Sequence, residues 1–368
     1  VQPMLKNQHK PDYFLIFVII AILLVGTIMV YSASSIWAEY KFNDSFYFLK
    51  RQVLFAGVGV IAMMIVSNIS YFQWIKHRKW IFISCLILLI AVLIPGIGMV
   101  RGGARSWIGV GAFSIQPAEF IKLAMIMFLS GFLVNQQDRI TEFKKGFLPP
   151  LLLSVVVFLI IMLQPDLGTG MVFLLTCFLL IFVAGAKIIH FVFLAGFGVI
   201  GFLLLIISAP YRINRITAFL DPWQDPLGTG FQIIQSLYAI GPGGLLGVGF
   251  GNSLQKYFYL PEPHNDFIFA IIAEELGFIG AGFVIVLFIL FIWRGILTAI
   301  HAPDLFARLL AVGIVGMIAI QVMINISVVI GLIPVTGITL PFLSYGGSSL
   351  TLTLCSVGIL INISKYRQ

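Results

Sequence analysis

Charged side chains are scarce in this sequence: Asp, Glu, Lys and Arg together supply 10% of its residues. A soluble domain carries about a quarter, so a water-facing surface over most of the chain is excluded. Cysteine is almost missing as well. Cys85, Cys177 and Cys355 each fall inside an apolar run with no CxxC or Cys/His spacing, which argues against zinc and dithiol redox chemistry and leaves three small core residues. The formal charge is +8, yet Lys and Arg are scattered through short loops and form no continuous stripe or motif, so no nucleic-acid partner is expected. A nucleotide fingerprint is lacking too: in the run Gly241-Pro-Gly-Gly-Leu-Leu-Gly247 the position that needs a third glycine is Leu246, and no βαβ pattern surrounds it. No internal repeat is visible, which disfavours inverted-repeat transporter architectures. No cleavable leader is expected, because the first apolar stretch is long enough to span and no small-residue cleavage site follows it.

Apolar sequence is abundant: 60% of residues are hydrophobic and the mean hydropathy is +1.08. Runs near 12–32, 52–68, 80–98, 117–134, 148–164, 169–186, 188–208, 266–293, 305–330 and 343–363 approach or exceed the roughly 17–25 residues that cross a bilayer. The expected fold is an all-α polytopic membrane protein, a single membrane domain over 1–368, with ten transmembrane helices and both termini on one side. Lys6, Lys10, Lys76, Arg78, Lys79, Lys144, Lys145 and Arg294 then fall on the inner side, which makes that side cytoplasmic. Arg101, Arg105, Arg212, Arg215 and Lys256 fall outside, against that tendency, and need another reason. Residues 209–265 form one long extracellular loop between the seventh and eighth spans, a length more often functional than decorative. Within it Phe231 to Ile240 is expected to make a short interfacial helix, followed by the Gly-rich turn.

Asp266 stands where the eighth apolar run begins, and a carboxylate there is expensive to keep dry. It suits a cation, a basic side chain or a substrate proton, or else it stabilises the helix dipole for about 0.3–1 kcal/mol. The residues alone leave these two roles even. A helix starting at Asp266 places Ala270, Ala273, Glu274, Gly277 and Ala281 on one small, acidic face, with Glu274 about 12 Å deeper. Glu274 and Glu275 are expected to bond neighbouring helices or stay protonated, while the small residues allow close packing. On the fourth span Pro117 starts the helix, Glu119 sits in its first turn, and Lys122 is three residues on, so the two charges can meet. Asp166, in Gln164-Pro-Asp-Leu-Gly-Thr-Gly170, is expected to cap the next helix. Arg212 and Arg215, three apart, can present two guanidiniums together to a phosphate or carboxylate, whether of a phospholipid headgroup or of a substrate pyrophosphate. The run Pro334-Val-Thr-Gly-Ile-Thr-Leu-Pro-Phe-Leu-Ser-Tyr-Gly-Gly-Ser-Ser349, with Ser344, places irregular backbone and hydroxyls at membrane depth, which is tolerated only in protein or beside water. It implies a polar cavity.

Taken together, Tyr31-Ser-Ala-Ser34, Arg105-Ser-Trp-Ile-Gly109, Gln116-Pro-Ala-Glu119, Gln164-Pro-Asp-Leu-Gly-Thr-Gly170, Asp221-Pro-Trp-Gln-Asp-Pro226, Asp266-Phe-Ile-Phe269 and Leu340-Pro-Phe-Leu-Ser-Tyr-Gly-Gly-Ser-Ser349 resemble the SEDS family (shape, elongation, division and sporulation). Members of that family polymerise peptidoglycan strands from lipid II. The resemblance covers nearly the whole chain and implies ten membrane helices, a large outer loop, Asp266 as the catalytic residue and a class B penicillin-binding protein as partner. It implies that Arg105, Glu119, Lys122, Arg212 and Arg215 surround the substrate cavity; Lys256 and Ser344 complete the candidate substrate-binding set. Magnesium or manganese is the one cofactor left open. Two positions depart from the family pattern: Ala118 stands where many relatives have Ser, and Asn265 where many have Thr. The expected reaction has Asp266 as general base toward a sugar hydroxyl. Its rivals are a flippase for the lipid-linked precursor and a non-catalytic scaffold for a transpeptidase.

Overall fold

The computed structural model describes residues 9–101, 104–110, 113–207, 213 and 217–367. It is mostly helical: α1 (Tyr13–Phe42), α2 (Tyr47–Asn68), α3 (Tyr71–Ala91), α4 (Pro117–Asn135), α5 (Leu148–Met162), α6 (Leu167–Val183), α7 (Ile188–Ile207), α8 (Phe231–Gly243), α9 (Ile268–Ile300), α10 (Leu305–Val329) and α11 (Gly347–Ser364). Among the described residues seven helices are long and apolar enough to cross a membrane. Leu167–Val183 is apolar but shorter. α4 and α10 are buried along most of their length and form the centre, whereas α2 turns Leu54, Ile61, Met64 and Ile65 outward. Such a belt of exposed aliphatic side chains suits lipid and would drive association in water.

Helix ends follow local chemistry rather than hydropathy. α1 runs ten residues past its apolar core because Ser32, Ala33, Ser34 and Ala38 are small enough to pack inward, and it stops where Asn43 adopts φ 53°. α3 starts at Tyr71 and carries Lys76, Arg78 and Lys79, well ahead of the expected start. At the end of the bundle that holds both chain termini, polar ties staple the helices. Asp304 caps α10 through Ala307 N–H at 2.8 Å and accepts the Tyr71 hydroxyl at 2.7 Å. Asn362 accepts Tyr71 N–H and donates to Ser67 O at 2.9 Å.

Three expectations are revised. The chain is not purely helical: a three-stranded antiparallel sheet, β1 (Gly98–Arg101), β2 (Ala104–Val110) and β3 (Phe113–Ile115), links α3 to α4. Its short alternating strands, rich in Val, Ile and Trp, suit a pleated ribbon more than a helix. Asp266 lies two residues ahead of α9, not within it. The single small face on α9 does not exist, because the helix breaks at Gly277, at φ 67° and ψ −164°. The expected Gly-rich turn fills that break: Val248 N–H bonds Glu274 O at 2.9 Å and Phe278 N–H bonds Gly244 O at 2.9 Å. A Cβ on Gly277 would stand 2.3 Å from Gly247 N, so both the conformation and the close approach require glycine.

Candidate active site at the mouth of α9

Asp266 is fixed through its backbone. Three consecutive carbonyls each accept a bond from a distant part of the chain: His264 O from Tyr345 N–H at 2.9 Å, Asn265 O from Ser344 Oγ at 2.7 Å, and Asp266 O from Asn325 Nδ2 at 2.8 Å. The same Asn325 amide donates to Ile338 O at 2.7 Å, so one α10 side chain ties the aspartate turn to the irregular 334–349 segment. Asp266 itself is half-buried. Gly337, at φ 75°, flanks it: a Cβ there would stand 3.7 Å from Asp266 Oδ2. Left-handed backbone and the absence of a side chain keep the ground beside the carboxylate open.

The other side of that segment faces a polar group on α4 and α6. Glu119 and Lys122 pair at 2.7 Å, and both are buried. Glu119 also accepts from Ser349 Oγ at 3.2 Å, while Lys122 reaches Gln321 Oε1 at 3.4 Å and Gln321 Nε2 donates to Thr339 O at 3.1 Å. Asp166 caps α6 by accepting Thr169 N–H at 3.1 Å and accepts Gln116 Nε2 at 2.7 Å. Burial pushes its carboxyl up, against the lowering by Thr169 and Lys122, and Glu119 adds to the rise. Gly168 lets the start of α6 lie against Thr336 and Ile338. Asp266, Glu119, Lys122 and Asp166 therefore border one irregular strand of backbone.

The candidate residues separate accordingly. Ser344 is gathered at the site, but its one proton bonds Asn265 O and its oxygen accepts Leu340 N–H at 2.8 Å, so it shapes the turn and has no proton left for substrate. Lys256 is buried elsewhere, with its ammonium 3.1 Å from Glu275 and 2.6 Å from Gly251 O. Glu275 also accepts Ser32 Oγ of α1, and Glu274 accepts Ser253 Oγ and Leu254 N–H. The two glutamates thus anchor the loop before Asp266 more than they bridge helices. Arg105 lies half-buried on β2, opposite Val100. Arg212 and Arg215 lie outside the described residues. The sequence reading missed Gln321 and Asn325, two amides four apart on one face of a mostly apolar helix, a spacing that marks a shared polar contact.

His264, beside the site, is buried against Trp37, Phe48 and Tyr345. Burial pushes its imidazole down to about 4 from 6.5. Between those values the unfolded chain binds a proton that the folded chain refuses, so stability is complete above pH 6.5 and falls as the pH drops toward 4. Thermal unfolding of detergent-solubilised protein is expected to show that loss, and His264→Phe is expected to flatten it.

A bundle of apolar helices whose polar residues converge on the irregular backbone around Asp266 defines a polytopic membrane protein with an internal polar site. The family model described as "Cell cycle protein", covering FtsW, RodA and SpoVE, matches residues 13–368, and the chain belongs to that family, the SEDS proteins. It is 62% identical to stage V sporulation protein E of Bacillus subtilis (strain 168), over 99% of this chain and 100% of that protein. It is 44% identical to the probable peptidoglycan glycosyltransferase FtsW of Geobacter sp. (strain M18), over 97% and 98% of the two chains. In structure it resembles a chain of a peptidoglycan synthase complex that coordinates polymerization and crosslinking (TM-score 0.78, 32% identity, 98% of each chain). It also resembles the Thermus thermophilus rod shape determining protein RodA in an aspartate-to-alanine mutant (TM-score 0.73, 28% identity, 99% and 100% covered).

Proposed function

We propose that this chain polymerises lipid II into glycan strands, with Asp266 as general base. It is a peptidoglycan glycosyltransferase with ten spans, its termini in the cytoplasm and Asp266 at the outer leaflet. Asp266 takes the proton of the acceptor GlcNAc 4-hydroxyl, that oxygen attacks the anomeric carbon of the donor MurNAc, and undecaprenyl pyrophosphate leaves. Direct displacement inverts the anomeric centre, from an α donor to a β linkage. One carboxylate suffices, because a pyrophosphate departs without the protonation that a sugar alcohol needs. The observation that carries this reading is the anchoring of Asp266: three successive carbonyls, of His264, Asn265 and Asp266, bonded from Tyr345, Ser344 and Asn325, at a residue that is itself only half-buried. Rigid backbone under an accessible base is what positioning catalysis requires.

Lys122, Arg105, Arg212 and Arg215 are the cations for charge growing on the diphosphate. Lys122 serves only if substrate competes with Glu119 for its ammonium. Among the described residues no three His, Cys, Asp or Glu side chains gather into a metal cage, and no step here is routed through a metal. The similarity to stage V sporulation protein E favours a role in spore cortex synthesis, and the likeness to a synthase complex favours a class B penicillin-binding protein as partner. Purified protein in detergent micelles, given labelled lipid II, is expected to form glycan polymer. A flippase has no second leaflet there and would form none, and a scaffold would form none in any setting.

A further inference from the structure

A cavity with charged lining lies at the far end of α9 from Asp266. It has a volume of about 360 Å³ and is lined by His9, Asp12, Arg294, Thr298, His301 and Arg367, among others. It forms where the start of α1, the end of α9 and the residues after α11 meet, and His9 N–H bonds Lys365 O at 2.7 Å across the chain ends. Arg294, Thr298 and His301 recur at spacings of four and three on one face of α9.

The charge in this cavity is unequal. Asp12 is the only acid among the described residues that line it: it caps α1 through Leu15 N–H at 3.0 Å and receives two bonds from the Arg294 guanidinium onto one oxygen. That pair neutralises itself. Arg367 stands 3.9 Å from the same oxygen, with its side chain 44% exposed, and is the surplus cation. His301 places Nδ1 2.8 Å from Leu297 O; a carbonyl only accepts, so Nδ1 carries hydrogen and Nε2 of the neutral ring is an acceptor, suited to a hydroxyl of the ligand's headgroup while Arg367 meets its phosphate.

The rim is that of a membrane interface. Tyr13, Phe14 and Trp293 are exposed beside it, with Ile296 and Ile300 exposed on the neighbouring turns, and the Arg294 guanidinium lies over the rings of Phe14 and Trp293 at 5.6 and 5.7 Å. Tyr and Trp gather at headgroup depth, and basic pockets between helices at that depth take phosphate headgroups. We propose that this cavity binds a phosphate-bearing anion, with the headgroup of an anionic phospholipid as its source. The ligand bridges the end of α9 and the residues after α11 through His301 and Arg367, and leaves the Asp12–Arg294 pair intact.

The test is thermal unfolding of the full chain in detergent with phosphatidylglycerol, phosphatidylcholine or inorganic phosphate at matched ionic strength, with native mass spectrometry to count bound lipid. Phosphatidylglycerol is expected to raise the melting temperature saturably and phosphatidylcholine to leave it unchanged. Arg367→Gln with His301→Gln is expected to melt like the parent without lipid and to bind phosphatidylglycerol roughly tenfold more weakly. Stabilisation by inorganic phosphate that the same variant loses supports the phosphate site and assigns a free anion as its source. Equal responses to both lipids, or a phosphatidylglycerol response that survives the double substitution by both measures, overturns the proposal.

Discussion

Asp266→Asn is expected to lower polymerisation of labelled lipid II by about 10²- to 10⁴-fold, the span that one positioned acid–base group contributes, while the protein folds as before. Asparagine keeps the shape of the side chain, and the bonds from Asn325, Ser344 and Tyr345 reach carbonyls of the backbone, which the substitution leaves alone. Lost turnover in a variant that still folds separates the base from a carboxylate that only stabilises α9, since that role leaves catalysis intact. Asp266→Glu tests geometry: it restores the charge but moves it about one methylene, and misplacement on that scale costs roughly 10²-fold. Turnover of Asp266→Asn at the parent rate would end the general-base assignment.

The helices were legible because lipid imposes a length and a composition, and both are visible in a run of residues. Their ends were less so. α1 continues through Ser32, Ser34 and Ala38, which no hydropathy window favours but which pack inward. The small sheet was hidden for a related reason: the four-residue β1 and the three-residue β3 are held by pairing with β2 between them, and pairing is not a local property. The break in α9 depends on a loop some thirty residues earlier in the chain, whose amides replace those of a helical turn at Gly277. Only the glycine itself hinted at it.

At the site, residues whose role is set by neighbours in sequence were readable: Pro117 starting α4, Glu119 meeting Lys122, Asp166 capping α6. Residues whose role is set by distant partners were not. Asn325 looked like one more helix residue, and it proves to hold the two segments on which Asp266 depends. Ser344 was readable as polar lining, but its sequence could not reveal that its proton is already committed to Asn265.

Lys256 tests that distinction most sharply. Its ammonium is buried against Glu275, itself fully buried beside Glu274. Lys256→Met is therefore expected to leave a buried carboxylate without its cation and to destabilise the chain by about 3–5 kcal/mol. Replacing both partners is different: Lys256→Met with Glu275→Gln removes the pair together, and such exchanges are often neutral. The remaining donors, Ser32 Oγ and Ser253 N–H, still satisfy an amide oxygen at position 275. Because residues 251–262 lead directly into the turn that holds Asp266, the single variant is expected to lose polymerisation along with its fold, and the double variant to recover both. A lysine that instead binds the substrate diphosphate predicts the opposite pattern: parent-like melting in Lys256→Met, weaker lipid II binding, and no rescue by Glu275→Gln. Melting temperature and polymerisation measured on the parent and the two variants decide whether Lys256 shapes the loop before Asp266 or touches the substrate.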